Sequence, residues 1–193
     1  MPSPNPLILT EWVRNQTKSK SIELVEITEL PGGSLHENWL CRLLFDGTDF
    51  NGEYEFVLRM EPKQKLPQSL SVTEEHALLK FLNNTKVKVP RVFFLAPSST
   101  ISDSEILFMR AIRGTTNPIE LHNIAQKNTN GRQMVRSLGK YTAHIHNVQP
   151  TMINFDFLQP PSVSPVHQKL LLFQDILNKF SLSLIHISEP TRR

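Results

Sequence analysis

Between residues 22 and 112, short apolar runs with partial alternation, poorest at residues 22–30, are typical of half-buried strands. Five such runs predict strands, at residues 22–30, 38–45, 53–60, 87–95 and 105–112. Turn-forming residues separate the first three runs and favour tight reversals of the chain. We therefore expect an antiparallel sheet with glycine-containing corners.

Four other segments have apolar residues at helical spacing. Residues 7–14 predict a short amphipathic helix, and Ser71 with Glu74 has the sequence of a capping box at the start of a second helix. Two later helices are indicated by apolar residues at Met134, Leu138, Tyr141 and Ile145, and at Leu170, Phe173, Leu177 and Phe180. Strands with one helix come first and helices follow, so the sequence predicts an α+β fold.

Composition limits the classes of function. The 193 residues are 39% apolar, enough for a buried core, and the 20% of charged residues argues against general disorder. The net charge of +3 comes from basic residues spread thinly along the chain, so we expect no nucleic-acid partner. No run approaches the roughly 20 apolar residues of a membrane span, so we expect no membrane partner.

Cys41 is the single cysteine, so no intrachain disulfide can form. This favours a reducing compartment, and we expect a cytoplasmic protein in which Cys41 is a small structural side chain. The seven histidines are scattered, and His144 and His146 point to different sides of a helix. We therefore expect no metal site built from histidine or cysteine.

Arg59 is the most unusual residue, because it lies within an apolar strand-like run. A cation in a half-buried strand is costly unless an anion meets it. One candidate anion is a phosphate held over the turn at Gly32 and Gly33, since glycine lets a backbone approach a ligand closely. Another is the carboxylate of Glu75 on the following helix. The alternative is purely structural: the glycines form a hairpin corner, and Arg59 and Glu75 form an ion pair without a ligand.

These parts, in this order, resemble the aminoglycoside-phosphotransferase-like kinase family, and most closely the phosphotransferase domains related to those fused to acyl-CoA dehydrogenases. The likeness extends over about residues 22–150. Six segments carry it, at residues 31–39, 54–59, 74–79, 89–92, 106–114 and 138–146. The resemblance implies a protein-kinase-like N-lobe, an antiparallel sheet with one helix, followed by the start of a truncated helical C-lobe.

The resemblance also implies which residues bind a nucleotide: Gly32, Gly33, Ser34, Arg59, Glu75, Met109, Arg110 and Ile112. The glycine turn would lie over the nucleotide phosphates, and Arg59, oriented by Glu75, would contact phosphate oxygens. Backbone groups of Arg110 and Ile112 would contact the adenine edge, with Met109 beside the base.

The implied cofactors are ATP and Mg²⁺. The family's His-x-Asp catalytic loop, its asparagine and the metal-binding aspartate do not follow His146, so we assign no catalytic residue and no metal ligand. We interpret Asp156 as a loop residue. Residues 183–193 resemble translated adaptor sequence, which predicts that the natural protein continues beyond this chain.

The predicted organisation is a nucleotide-binding N-lobe at 1–109, a hinge at 110–118, the beginning of a helical C-lobe at 119–180 and a non-native tail at 181–193. The leading hypothesis is a fragment of an ATP-dependent phosphotransferase that acts on a hydroxyl group of a small molecule. One alternative is a non-catalytic, pseudokinase-like nucleotide-binding module. The other is an α+β interaction domain in which Arg59 and Glu75 form only a structural pair.

Overall fold

The computed structural model describes residues 4–31, 36–61, 69–127, 130–149, 155–158 and 163–184, with side chains described up to residue 178. Its helices and strands are α1 (Pro6–Thr17), β1 (Ser21–Glu29), β2 (Glu37–Asp46), β3 (Gly52–Met60), α2 (Val72–Leu82), β4 (Val92–Ala96), β5 (Ile106–Arg110), α3 (Pro118–Gln126), α4 (Asn130–His146) and α5 (Pro165–Leu184). A 3-10 turn spans Asp156–Leu158. The chain forms two compact units, Met1–Val148 and Gln149–Arg193.

The sheet has five strands in the order β1-β2-β3-β5-β4, and every neighbouring pair is antiparallel. The predicted α+β fold with an antiparallel sheet is therefore confirmed. The prediction of a strand over residues 87–95 is wrong at its beginning, because β4 starts only at Val92. Pro90 has no amide hydrogen for a strand ladder, and its carbonyl instead accepts a hydrogen bond from the side chain of Asn83.

The two faces of the sheet carry different cores. Phe56, Leu58 and Phe108 face one side and belong to a cluster of buried residues that also contains Leu9 and Val13 of α1. Trp12 of α1 stacks on Phe108, with a ring-centroid distance of 5.5 Å. The prediction that Leu9, Trp12 and Val13 share one side of a helix is therefore confirmed.

The opposite face of the sheet packs against α2. Val57 of β3 contacts a second cluster of buried residues, Val72, Leu107 and Met109. Because successive strand residues point to opposite faces, Arg59 lies on this face, two residues beyond Val57. The prediction that Val57 and Arg59 share one face of β3 and the larger side chains share the other is therefore confirmed.

Helix α2 is fixed at its N-terminus by three acidic side chains. Ser71 and Glu74 form the predicted capping box. The Val72 amide donates to the Glu61 carboxylate across 2.6 Å, and the Thr73 hydroxyl donates to the Glu105 carboxylate across 2.8 Å. Negative charge is favourable at a helix N-terminus. These contacts therefore hold the first turn of α2 beside the last residue of β3 and the first residue of β5.

Helices α3, α4 and α5 contribute less to the buried core than α1 and α2 do. Helix α3 was not predicted, although Asn117 caps it and Pro118 occupies its first turn, both of which are ordinary start signals. Helix α5 runs past the predicted end at Phe180 to Leu184. No described residue of α3, α4 or α5 is fully buried. None of the helices in the described ranges has the length and hydropathy of a membrane span.

Candidate functional site

Arg59 lies next to the last residue of β3 and faces α2. Its Nε atom is 2.7 Å from Oε2 of Glu75, so the predicted pair between strand and helix is present. The N–H direction of Nε departs from the line to this oxygen, and the contact is an ion pair rather than an aligned hydrogen bond. Glu75 reaches Arg59 because the capping box and the Glu61 contact fix the first turn of α2.

His36 is a second partner of Arg59, and sequence reasoning did not single it out. Its Nδ1 atom lies 3.1 Å from Nη2 of Arg59. An arginine only donates hydrogen bonds, so the imidazole must accept at Nδ1 in this arrangement. The available signal was strand register: Asn38 lies directly opposite Arg59 on β2, and His36 is two residues before it.

The ion pair is partly open to solvent. The Arg59 side chain is 28% exposed and that of Glu75 is 21% exposed. A guanidinium has five N–H donors in a fixed plane, and the two contacts leave donors for a ligand. The arrangement therefore presents a positive charge of fixed orientation to an oxyanion such as a phosphate group.

The predicted adenine-binding residues lie at the end of β5. Met109 is buried on the same sheet face as Val57 and Arg59, whereas Arg110 and Ile112 are exposed. The Arg110 amide already donates to the carbonyl of Arg91, so a base contact at Arg110 would have to use its own carbonyl. Their roles in nucleotide binding stay predictions.

Gly32, Gly33 and Ser34 of the predicted phosphate turn lie outside the described residues. The flanking positions are described: β1 ends at Glu29, β2 begins at Glu37, and the Leu30 amide donates to the Asn38 carbonyl across 2.8 Å. Since Asn38 is opposite Arg59 in the sheet, the two ends of this turn come together beside the Arg59 strand.

Cys41 lies in the core on the other face of the sheet. It is fully buried, and burial raises the pKa of its thiol to about 12. A protonated, inaccessible thiol is a poor nucleophile, in agreement with a structural role. Among the described residues, no group of three or more histidine, cysteine, aspartate or glutamate side chains is arranged to hold a metal ion.

Comparison with known proteins relates the chain to one protein family and to solved structures. The model of the phosphotransferase enzyme family (APH) matches residues 26–171, which is more than half of the chain. The fold is similar to the crystal structure of a Ralstonia eutropha protein named "putative aminoglycoside phosphotransferase", with a TM-score of 0.56 and 16% sequence identity. The match covers 93% of this chain and 48% of that one, so the chain spans about half the length of the similar structure. No curated protein sequence matches.

The described elements combine one antiparallel sheet with helices, in line with the fold of the similar structure. A five-stranded antiparallel sheet carries an arginine on its third strand, a helix with a paired glutamate follows, and the fifth strand leads into helices. The similar structure shows the fold, and the family model, which covers both sheet and helices, shows the family. The chain therefore has a kinase-like fold and belongs to the phosphotransferase enzyme family.

Proposed function

We propose that this chain provides the nucleotide-binding part of an ATP-dependent phosphotransferase that transfers a phosphoryl group to a hydroxyl of a small molecule. The single observation that carries the proposal is the 2.7 Å ion pair between Arg59 and Glu75. It joins strand and helix beside the point where the glycine turn begins and ends. A positive charge that is fixed but still reachable is suited to phosphate oxygens.

ATP fits the residues that are present. Arg59 would contact phosphate oxygens, Glu75 and His36 would orient its guanidinium, and Gly32, Gly33 and Ser34 would donate backbone N–H groups to the phosphates. When bound, ATP would supply the phosphoryl group. We assign no Mg²⁺ ligand and no catalytic residue to this chain, and the described residues contain no cluster suited to a metal.

ATP titration of the full chain tests the proposal. We expect ATP to raise the melting temperature, and Arg59→Ala to weaken ATP affinity about tenfold or more, because charge-assisted hydrogen bonds are lost. Arg14→Ala is the matched control, since Arg14 is a partly exposed arginine of α1 that is paired with Glu11, as Arg59 is with Glu75. If folded wild-type protein does not bind ATP, or if both variants bind it equally, the proposal is wrong.

A second candidate is a non-catalytic nucleotide-binding module. The Arg59–Glu75 ion pair would serve such a module equally well, because it can hold a phosphate group without taking part in its transfer. ATP binding without phosphoryl transfer to any of a panel of small hydroxyl compounds would support this candidate. An interaction domain is the remaining alternative, and it predicts no ATP binding by well-folded protein.

Two finer statements stay predictions. The resemblance to phosphotransferase domains fused to acyl-CoA dehydrogenases rests on the sequence segments alone. The cytoplasmic location rests on the single cysteine.

A further inference from the structure

A cleft of about 650 Å³ lies at the end of the sheet where strand β3 begins and strand β5 ends. Tyr54, Arg91, Phe93 and Arg110 are among the residues that line it. This volume is within the range of small-molecule sites in proteins. The cleft consists entirely of residues from the unit Met1–Val148.

Two arginines stand opposite each other in this cleft. The register of β4 and β5 pairs Val92 with Met109, and the hydrogen bond from the Arg110 amide to the Arg91 carbonyl extends the pairing by one residue. Arg91 and Arg110 are therefore direct cross-strand neighbours on one face. Like charges in this relation are destabilising unless something anionic lies between or above them.

Neither arginine has a carboxylate partner within 4 Å in the part of the chain that the structure describes. Arg91 instead lies over the ring of Phe93, with 5.0 Å between its guanidinium carbon and the ring centroid. This contact favours one orientation of the Arg91 side chain without neutralising its charge. The guanidinium is thus positioned, but its donors stay available.

The acidic side chains of the same cleft already have partners. Glu53 is 3.5 Å from Arg42, and Glu55 is 3.5 Å from Arg113. Arg42 lies outside the cleft and also pairs with Glu26, so the charges of the cleft itself are two glutamates against three arginines, a net charge of +1. The potential of the cleft is therefore positive.

The cleft includes Arg110 and Ile112, whose backbone groups are the predicted adenine contacts, but its arginine side chains are separate from the proposed phosphate site at Arg59. Arg59 and Met109 face α2, whereas Arg110 follows Met109 and so points to the opposite face of the sheet. Phe93, beneath Arg91, belongs to the cluster of aromatic side chains that packs with α1 on that opposite face. A ligand held by the two arginines would not contact Arg59.

We propose that this cleft is a second binding site, for a small molecule with an oxyanion group, and that Arg91 and Arg110 hold this group. Two guanidinium planes can direct several N–H donors at a phosphate or carboxylate. The aromatic rings of Tyr54 and Phe93 supply an apolar surface for the rest of the ligand. The proposal does not depend on ATP binding at Arg59.

An NMR titration of the full chain tests this site by following the arginine side-chain Nε–H signals. Inorganic phosphate and acetate are the probes, each compared with chloride at equal ionic strength, and they distinguish a phosphate group from a carboxylate. We expect at least one probe to shift the signals of Arg91 and Arg110. We expect Arg91→Ala and Arg110→Ala each to weaken the binding of that probe about tenfold.

Two controls keep the test specific. Arg113→Ala removes a third arginine of the cleft that is 90% exposed and paired with Glu55, and it should leave probe affinity within about twofold. Arg59→Ala should also leave it unchanged. Binding that is lost only in Arg59→Ala, or no response to either probe by folded wild-type protein, would overturn the proposal.

Discussion

The sheet with α1 and α2 buries large apolar side chains on both of its faces, whereas α3 and α4 bury none of theirs. Both regions have clear apolar patterns in the sequence. Leu138 of α4 has helical spacing with its apolar neighbours and is nevertheless 67% exposed. An amphipathic pattern is therefore enough for a helix face, but a core forms only where another apolar surface meets that face.

The residues of the candidate site follow the same division. Arg59 and Glu75 lie on elements that are packed into the sheet region, so their positions are set by buried neighbours and by the capped first turn of α2. Groups fixed in this way bind a ligand with little further ordering. The sheet region therefore contains the rigid part of the proposed site.

The largest difference is expected for deletion of core volume. Phe56→Ala removes a fully buried ring that contacts several other aromatic rings, and it should lower the free energy of unfolding by about 3–5 kcal/mol. Leu138→Ala should change it by about 0.5 kcal/mol or less. Urea denaturation measures both, and equal losses would contradict the division.

The ion pair of the site should couple in ligand binding. Glu75→Gln should weaken ATP affinity about tenfold, because the Arg59 guanidinium loses the carboxylate that orients it. In a double-mutant cycle, Arg59→Ala with Glu75→Gln should then weaken affinity by less than the sum of the two single changes. Calorimetric titration of the four proteins measures this coupling, and strict additivity would show that the pair does not act as a unit.

Loss of a helix cap should have a smaller effect, and one that differs between α2 and α3. Ser71→Ala removes the cap of α2 and should lower global stability by about 1 kcal/mol. Asn117→Ala removes the equivalent cap of α3, which does not support the core. We expect this change to increase hydrogen exchange within α3 with little effect on global unfolding. A larger global loss from Asn117→Ala than from Ser71→Ala would contradict the account.

The smallest effect near neutral pH is expected at Cys41. Its pKa is raised to about 12 by burial, so the folded state favours the protonated thiol. Stability from this group is complete below the unfolded pKa of about 9 and should decline as pH rises from there toward 12. At pH 8 the native protein should resist thiol alkylation, whereas the protein unfolded in urea should react fully. Rapid labelling of the native protein would show that the core around Cys41 is open.

Much of the fold could be predicted from local pattern. The alternation in β3 located the two faces of the sheet, and Ser71 with Glu74 located the start of α2, because both signals act within a few residues. The end of α5 and the late start of β4 were missed. Helix ends depend on weak local preferences, which explains the error in α5. For β4, the apolar residues around Pro90 led to a strand prediction that gave the proline too little weight.

The candidate site was predictable only in part. The Arg59–Glu75 pair could be expected because a half-buried cation needs an anion nearby. His36 and the opposed pair Arg91 and Arg110 depend on strand register, which brings together residues that are far apart in sequence. Register requires the sheet order and its irregularities, and neither can be read from a single segment.

A crystal structure of the full chain with a non-hydrolysable ATP analogue tests the central claim most directly, through the distance from the Arg59 guanidinium to the nearest phosphate oxygen. The account predicts a distance of about 3 Å, with Glu75 still in contact with Arg59. An analogue bound elsewhere, or an Arg59 side chain turned away from the phosphates, would contradict it.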